Sequence, residues 1–174
     1  MKMTSILCTT VLLAAAPALA QDPMTSAAKS TLGLIKGNIV KAADQMSEEN
    51  FAFKATPDVR SFGQIVGHIA NANYMICSAA SGAANPSKTV DIEKTKTTKA
   101  DLTKALAESF TCCEAQFDAL TPATAAEVVD LFGMKMPRLN VLQFNTAHDF
   151  EHYGNIVTYM RLKGMVPPSS QRGM

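Results

Sequence analysis

The sequence has no excess of charge of either sign and no run of basic residues. Its 174 residues include 16 Lys and Arg against 15 Asp and Glu. Proteins that bind nucleic acids through phosphate contacts carry basic patches, and this composition supplies none. The sequence therefore predicts no nucleic-acid partner.

A second long apolar segment is also missing. The apolar run over residues 6–16 is shorter than the roughly 20 residues that a bilayer span needs. It follows Lys2 and precedes Ala18-Leu19-Ala20, which is typical of a secretory signal peptide. We predict a signal peptide over 1–20 and one mature domain over 21–174. The mature protein is then expected to be periplasmic or secreted and free of the membrane, with an N-terminal anchor helix as the alternative.

Cysteine is scarce, and the mature chain would keep Cys77, Cys112 and Cys113. Disulfides persist in the oxidising compartments that exported proteins reach. Adjacent helical residues point about 100° apart, so only one of the neighbouring pair faces Cys77. Cys113 lies on the apolar stripe of its helix, and we therefore predict a Cys77–Cys113 disulfide. Three small buried side chains are the alternative. No CxxCH motif for covalent haem attachment is present.

Helical spacing recurs four times, whereas no long strand pattern occurs. The predicted helices cover about 25–46, 61 to the break at Ser81, 98–120, and Pro137 to Lys163. Ser61 and Gln64 form a capping-box pattern at the start of the second. Four helices of this length predict an all-α four-helix bundle.

The connections carry further expectations. The stretch 49–60 is long enough for a crossover, with Phe51 and Phe53 covering one end of the core. We expect residues 122–132 to form a connector, with 128–136 as a short extended piece. The tail after Pro168 is expected to fray.

The three histidines form the strongest candidate site. His148 and His152 are four residues apart, so a helix places them on one face. His68 faces inward on the second helix, because Ile65 and Ala72 share its side. Three imidazoles around one cation leave positions open, as in a catalytic metal centre. Hydrogen-bonded bundle histidines without a metal are the alternative.

Metal-bound histidines need an acceptor on their other ring nitrogen. Asn71, Asn145 and Asn155 each lie three residues from a histidine and are candidates for this role. The His-Asp-Phe-Glu-His order differs from the zinc-protease motif, whose glutamate directly follows the first histidine. Glu151 points about 100° away from His152, so the sequence predicts no catalytic base beyond the ligands.

Residues 61–70 and 148–164, followed by Pro167-Pro168, resemble the DinB/YfiT-like family of metal-binding four-helix bundles. The resemblance covers nearly the whole mature domain. That family has a histidine in its second helix and an HxxxH-Tyr-Gly run in its last, which correspond to His68, His148 and His152. The resemblance implies a divalent metal, zinc or nickel first, with iron or manganese as alternatives.

Related enzymes include mycothiol-dependent maleylpyruvate isomerases and bacillithiol transferases. The resemblance therefore implies a metal-dependent thiol transferase or hydrolase that acts on a small-molecule substrate. An exported protein meets few cytosolic thiols, so a non-catalytic periplasmic metal-binding or stress-related bundle protein is the alternative. A homodimer formed through an outer face of the bundle is a further expectation.

Overall fold

The structure is a computed structural model that describes residues 23–171. The predicted signal peptide lies outside these residues. The helices and strands, in chain order, are α1 (Pro23–Gln45), α2 (Phe62–Ser81), α3 (Ile92–Thr95), α4 (Lys99–Asp118), α5 (Pro122–Ala126), β1 (Val128–Leu131), β2 (Met134–Pro137) and α6 (Arg138–Leu162). Short 3-10 helices cover Glu48–Ala52 and Pro168–Ser170.

The four long helices α1, α2, α4 and α6 surround one apolar core, which confirms the all-α fold. Both α1 and α2 pack against α4 and α6, so α1 and α2 lie diagonally across the bundle. The core includes fully buried side chains from all four helices, among them Leu32, Phe62, Phe110 and Leu142. No helix among residues 23–171 is long and apolar enough to cross a membrane.

The start of α2 follows the capping box predicted from the sequence. The Ser61 hydroxyl accepts the Gln64 amide hydrogen at 3.1 Å, and the Gln64 side chain accepts the Ser61 amide hydrogen at 2.8 Å. Two amide groups that the helix leaves unpaired are satisfied in this way. The helix ends at Gly82, whose φ of 73° lies in the left-handed region that glycine adopts easily.

Helices α2 and α4 run in the same direction. Asn73 contacts Ser109, and Cys77 forms a disulfide with Cys113, four residues further along each helix. The Cα atoms of the two cysteines are 5.2 Å apart, and Cys112 is a free thiol. Parallel neighbours need a connection that returns the chain along the bundle, and residues 82–98 provide it. The stretch 49–60, where we expected a crossover, instead joins the diagonal helices α1 and α2.

The return connection lies against α2 through α3. A Cβ added at Gly67 would lie 2.8 Å from the Cα of Glu93, so only glycine allows the two backbones to approach this closely. Asn71 holds the start of α3, since its side chain accepts the Ile92 amide hydrogen at 3.0 Å and donates to Asp91 at 2.8 Å. These contacts place Glu93 beside His68.

The extended piece expected over 128–136 is present, whereas the tail differs from the expectation. Residues 128–137 form a hairpin whose Phe132-Gly133 turn has two positive φ angles, as a type I′ turn requires. The tail does not fray as far as residue 171, because Pro168 is buried and the Ser169 amide donates to the Tyr153 hydroxyl. Phe51 packs against Phe62 at one end of the core.

We expect Gly67→Ala to destabilise the protein by about 1–3 kcal/mol, because the added methyl group forces α3 away from α2. Gly33→Ala is the matched control, since no atom lies within 4 Å of a Cβ added there. The control should stabilise α1 by roughly 0.5–1 kcal/mol. Urea unfolding of both variants measures the difference, and equal effects would contradict the close packing of α3.

Candidate metal centre

The three histidines that the sequence singled out converge in the structure. His68 lies on α2, and His148 and His152 lie on adjacent turns of α6. The Nε2 atoms of His68 and His148 are 3.2 Å apart, and those of His148 and His152 are 3.0 Å apart. One ligand atom from each of the three residues lies within 4.8 Å of the others. The antiparallel packing of α2 on α6 brings these rings together.

The donor set fits a divalent cation. For metal–nitrogen bonds of about 2.0–2.1 Å, neighbouring ligand atoms lie roughly 2.9 Å apart in octahedral and about 3.3 Å apart in tetrahedral geometry. The two nitrogen separations of 3.0 and 3.2 Å fall between these values. A hydrogen bond between two of the rings pairs one N–H with one nitrogen lone pair. A cation at the centre of the cluster would instead accept a lone pair from each of the three imidazoles. The cluster therefore has the spacing and chemistry of a three-imidazole ligand set.

Burial favours the neutral imidazoles that a metal requires. Burial, together with the smaller effects of the neighbouring His148, His68 and Arg60 charges, lowers the pKa of His152 to about 4. Burial is also the main cause that lowers the pKa of His148. Both rings are therefore neutral at neutral pH, with a lone pair available for a metal ion.

Glu93 orients His68. Its Oε2 lies 3.1 Å from the Nδ1 of His68, so the Nδ1–H of a neutral ring donates to the carboxylate and leaves the Nε2 lone pair free. The other carboxylate oxygen accepts a hydrogen bond from Nε of Arg60 at 2.8 Å. Glu93 thus connects Arg60, in the loop before α2, to the ring of His68.

The rings of His148 and His152 differ in whether their Nδ1 atoms have a hydrogen-bond partner. The Asn155 amide lies 3.4 Å from Nδ1 of His152, as the sequence predicted, and presents an acceptor when its Oδ1 faces the ring. Nδ1 of His148 is buried without a hydrogen-bond partner among the described residues. Orientation of His148 therefore comes from packing on α6.

Asn71 and Asn145, the other two predicted partners, hold different positions. Asn71 binds the start of α3 and acts on His68 only through Glu93. Asn145 is buried in the core, where its amide donates to Asn73 at 2.7 Å and to Asp149 at 3.3 Å. Asn155 is the only one of the three candidates with a contact to a histidine among the described residues.

Asp149 is fully buried, which is rare for an acidic side chain. Burial raises the pKa of its carboxyl well above the usual value, and one of its oxygens has no partner among the described residues. It is part of a polar cluster with Asn73, Ser109 and Asn145. This cluster lies on the core side of α6, because residues 148 and 149 point about 100° apart.

A cavity of about 650 Å³ is lined by His152, one of the three histidines. Its walls come from the loop before α2 and from the C-terminal half of α6, and they include Arg60, Glu93, His152, Asn155 and Tyr159. The volume is in the range of small-molecule binding sites. A ligand in this cavity would reach His152 directly.

Sequence reasoning missed Glu93 and Arg60. Glu93 follows Asp91, which caps α3, but no spacing rule links it to a histidine 25 residues earlier. Arg60 precedes the Ser61 cap and is placed by its backbone carbonyl, which accepts the Tyr159 hydroxyl at 2.5 Å. Both contacts depend on tertiary packing, which a helical pattern does not contain.

Comparison with known proteins agrees with this architecture. The profile of the DinB superfamily matches residues 36–156. A DinB-like protein from Bacillus cereus superposes with a TM-score of 0.72 at 20% identity, covering 82% of this chain and 95% of that one. No curated protein matches the chain.

Two further solved structures are similar. A DinB-like protein from Bacillus subtilis has a TM-score of 0.66 and 21% identity, and covers 84% of this chain and 99% of its own. A conserved protein from Enterococcus faecalis has a TM-score of 0.65 and 18% identity, with 79% and 95% covered. At these identities the likeness establishes the fold and leaves the activity to the chemistry of the site.

Proposed function

The chain belongs to the DinB superfamily, and on that premise we propose that it binds a divalent metal through His68, His148 and His152. The observation that carries the proposal is the convergence of three imidazoles: two of the nitrogen separations are 3.0 and 3.2 Å, and all three ligand atoms lie within 4.8 Å of one another. Imidazole ligands favour zinc or nickel, with iron or manganese as alternatives. Three protein ligands leave room for an exogenous one, unlike the four that close a structural zinc site.

The reaction we propose is thiol transfer or hydrolysis of a small molecule. A bound divalent cation lowers the pKa of a thiol or water and polarises an electrophile. The chain's own residues orient these groups: Glu93 fixes His68, Asn155 contacts His152, and the cavity beside them accepts the substrate. Glu151 is exposed and does not line this cavity.

We propose that the protein acts in the periplasm or outside the cell. The disulfide between Cys77 and Cys113 is buried in the core and suits an oxidising compartment. It supports the export that the sequence of residues 1–20 predicts. The expected substrate is a small molecule rather than a nucleic acid or a membrane, and a homodimer remains part of the proposal.

His152→Ala should abolish stoichiometric metal binding, because two imidazoles on separate helices hold a divalent ion far more weakly than three. Glu108→Gln on α4 is the control, since this exposed side chain is paired with Lys104 rather than with any of the three histidines. Metal content after dialysis and zinc and nickel titrations measure the effect. Retention of one tightly held ion by His152→Ala would show that the ligand assignment is wrong.

Glu93→Gln should weaken zinc binding about tenfold or more, because a neutral amide polarises His68 less than a carboxylate does. Glu108→Gln, an exposed change on α4, serves as the control and should leave the affinity unchanged. Competition with a chelator of known affinity gives both values. An unchanged affinity in Glu93→Gln would mean that the carboxylate does not orient the ligand.

Metal-loaded protein should turn over small electrophiles with a thiol, or hydrolyse activated esters, and His152→Ala should lose this activity. A screen of several thiols and esters, with metal-free protein as the control, measures the rates. Activity in the metal-free protein would contradict a metal-dependent reaction. If metal binds and no substrate is converted, the protein is a metal-binding protein without this catalysis.

A further inference from the structure

Arg60 has hydrogen-bond donors to spare in the cavity beside the histidines. A guanidinium carries five N–H donors in a planar fork. Only Nε is engaged, in the 2.8 Å bond to Glu93, and the two Nη groups have no hydrogen-bond partner among the described residues. The side chain is 44% exposed, so these donors are accessible from solvent.

The position of Arg60 is fixed from two sides. Its carbonyl accepts the Tyr159 hydroxyl at 2.5 Å, which ties the loop to α6, and its Nε binds Glu93. A guanidinium held in this way loses little conformational freedom when it binds a ligand, which favours affinity. Arg60 is therefore positioned before any ligand enters.

Arg60 is the one basic side chain among the described residues that line the cavity, apart from the neutral His152. Asp58 and Glu93 are the acidic side chains on its walls, and the charge of Glu93 is paired with Nε of Arg60. Asp58 makes no ion pair with Arg60 within 4.0 Å. The neutral His152 adds no negative charge, and a divalent cation held by the three histidines would add a positive one. Ala55, Val59 and Ile65 add apolar wall surface to the cavity.

We propose that Arg60 binds the carboxylate of a small anionic substrate whose other, reactive end lies at the three histidines. This inference rests on the proposed function for the identity of the reactive end. The two Nη donors match the two oxygens of a carboxylate, and Arg60 and His152 line the same cavity, so one small molecule can contact both. Arg60 thus selects among small molecules by charge.

The test compares two thiols of equal length, ω-mercaptohexanoate and ω-mercaptohexanol, whose chains are too long to chelate one ion. Dissociation constants are measured by NMR titration of the isotope-labelled protein, both loaded with zinc and metal-free. The wild type should bind the carboxylate about tenfold more tightly than the alcohol. Arg60→Met should bind both equally, and Arg60→Lys should keep part of the preference.

Arg161→Met is the matched control, because Arg161 is exposed near the end of α6 and does not line the cavity. It should keep the wild-type preference. Zinc content of every variant is measured in parallel. Equal binding of the two thiols by the wild type, or an unchanged preference in Arg60→Met, overturns the inference even when zinc is bound.

A failure of the metal proposal gives a different result. In that case the wild type and Arg161→Met take up no zinc, and the metal-free titrations decide the role of Arg60 by themselves. A carboxylate preference that disappears in Arg60→Met then supports the anion site without the metal. If no zinc binds and the metal-free wild type shows no preference for the carboxylate, both the metal proposal and the Arg60 proposal are rejected.

Discussion

The close contact of α3 with α2 at Gly67 is the constraint on which the candidate site depends. Parallel packing of α2 and α4 requires the chain to return along the bundle, and Gly67 lets the returning backbone lie directly against α2. Glu93 is thereby delivered to His68, and Arg60 closes the arrangement from the opposite side. The order of the helices in the bundle therefore determines which side chains surround His68, one of the three proposed metal ligands.

A second group of polar residues lies on the core side of α6, where it is fully buried. Asn73, Ser109, Asn145 and Asp149 link α2, α4 and α6 next to the disulfide, in a region without exposed surface. Unpaired buried polar atoms cost about 1–3 kcal/mol each, and Asn145 and Asp149 each leave one oxygen unpaired. The Cys77–Cys113 crosslink offsets part of this cost, since closing a loop of this length contributes roughly 3–4 kcal/mol.

The sequence predicted the elements that have a local period or cap. The four long helices, the Ser61–Gln64 box and the facing pair His148 and His152 all follow from spacing along one helix. The contacts of Glu93 and Arg60 could not be predicted, because each depends on how elements distant in sequence are packed. Asp149 shows a different limit: its charge favours the surface, whereas its position four residues after Asn145 and three before His152 places it on the inner face of α6.

The division of the three histidines between two helices would link the proposed metal binding to folding. His148 and His152 remain on one face even in an isolated helix, but His68 joins them only when α2 packs on α6. A ligand that binds only the folded state stabilises it by RT ln(1 + [L]/Kd), which is about 2.7 kcal/mol at a hundredfold excess over Kd. A metal ion held by the three histidines would therefore stabilise the packing of α2 on α6. Because α3 contacts His68 through Glu93, its packing would change the metal affinity and the stability together.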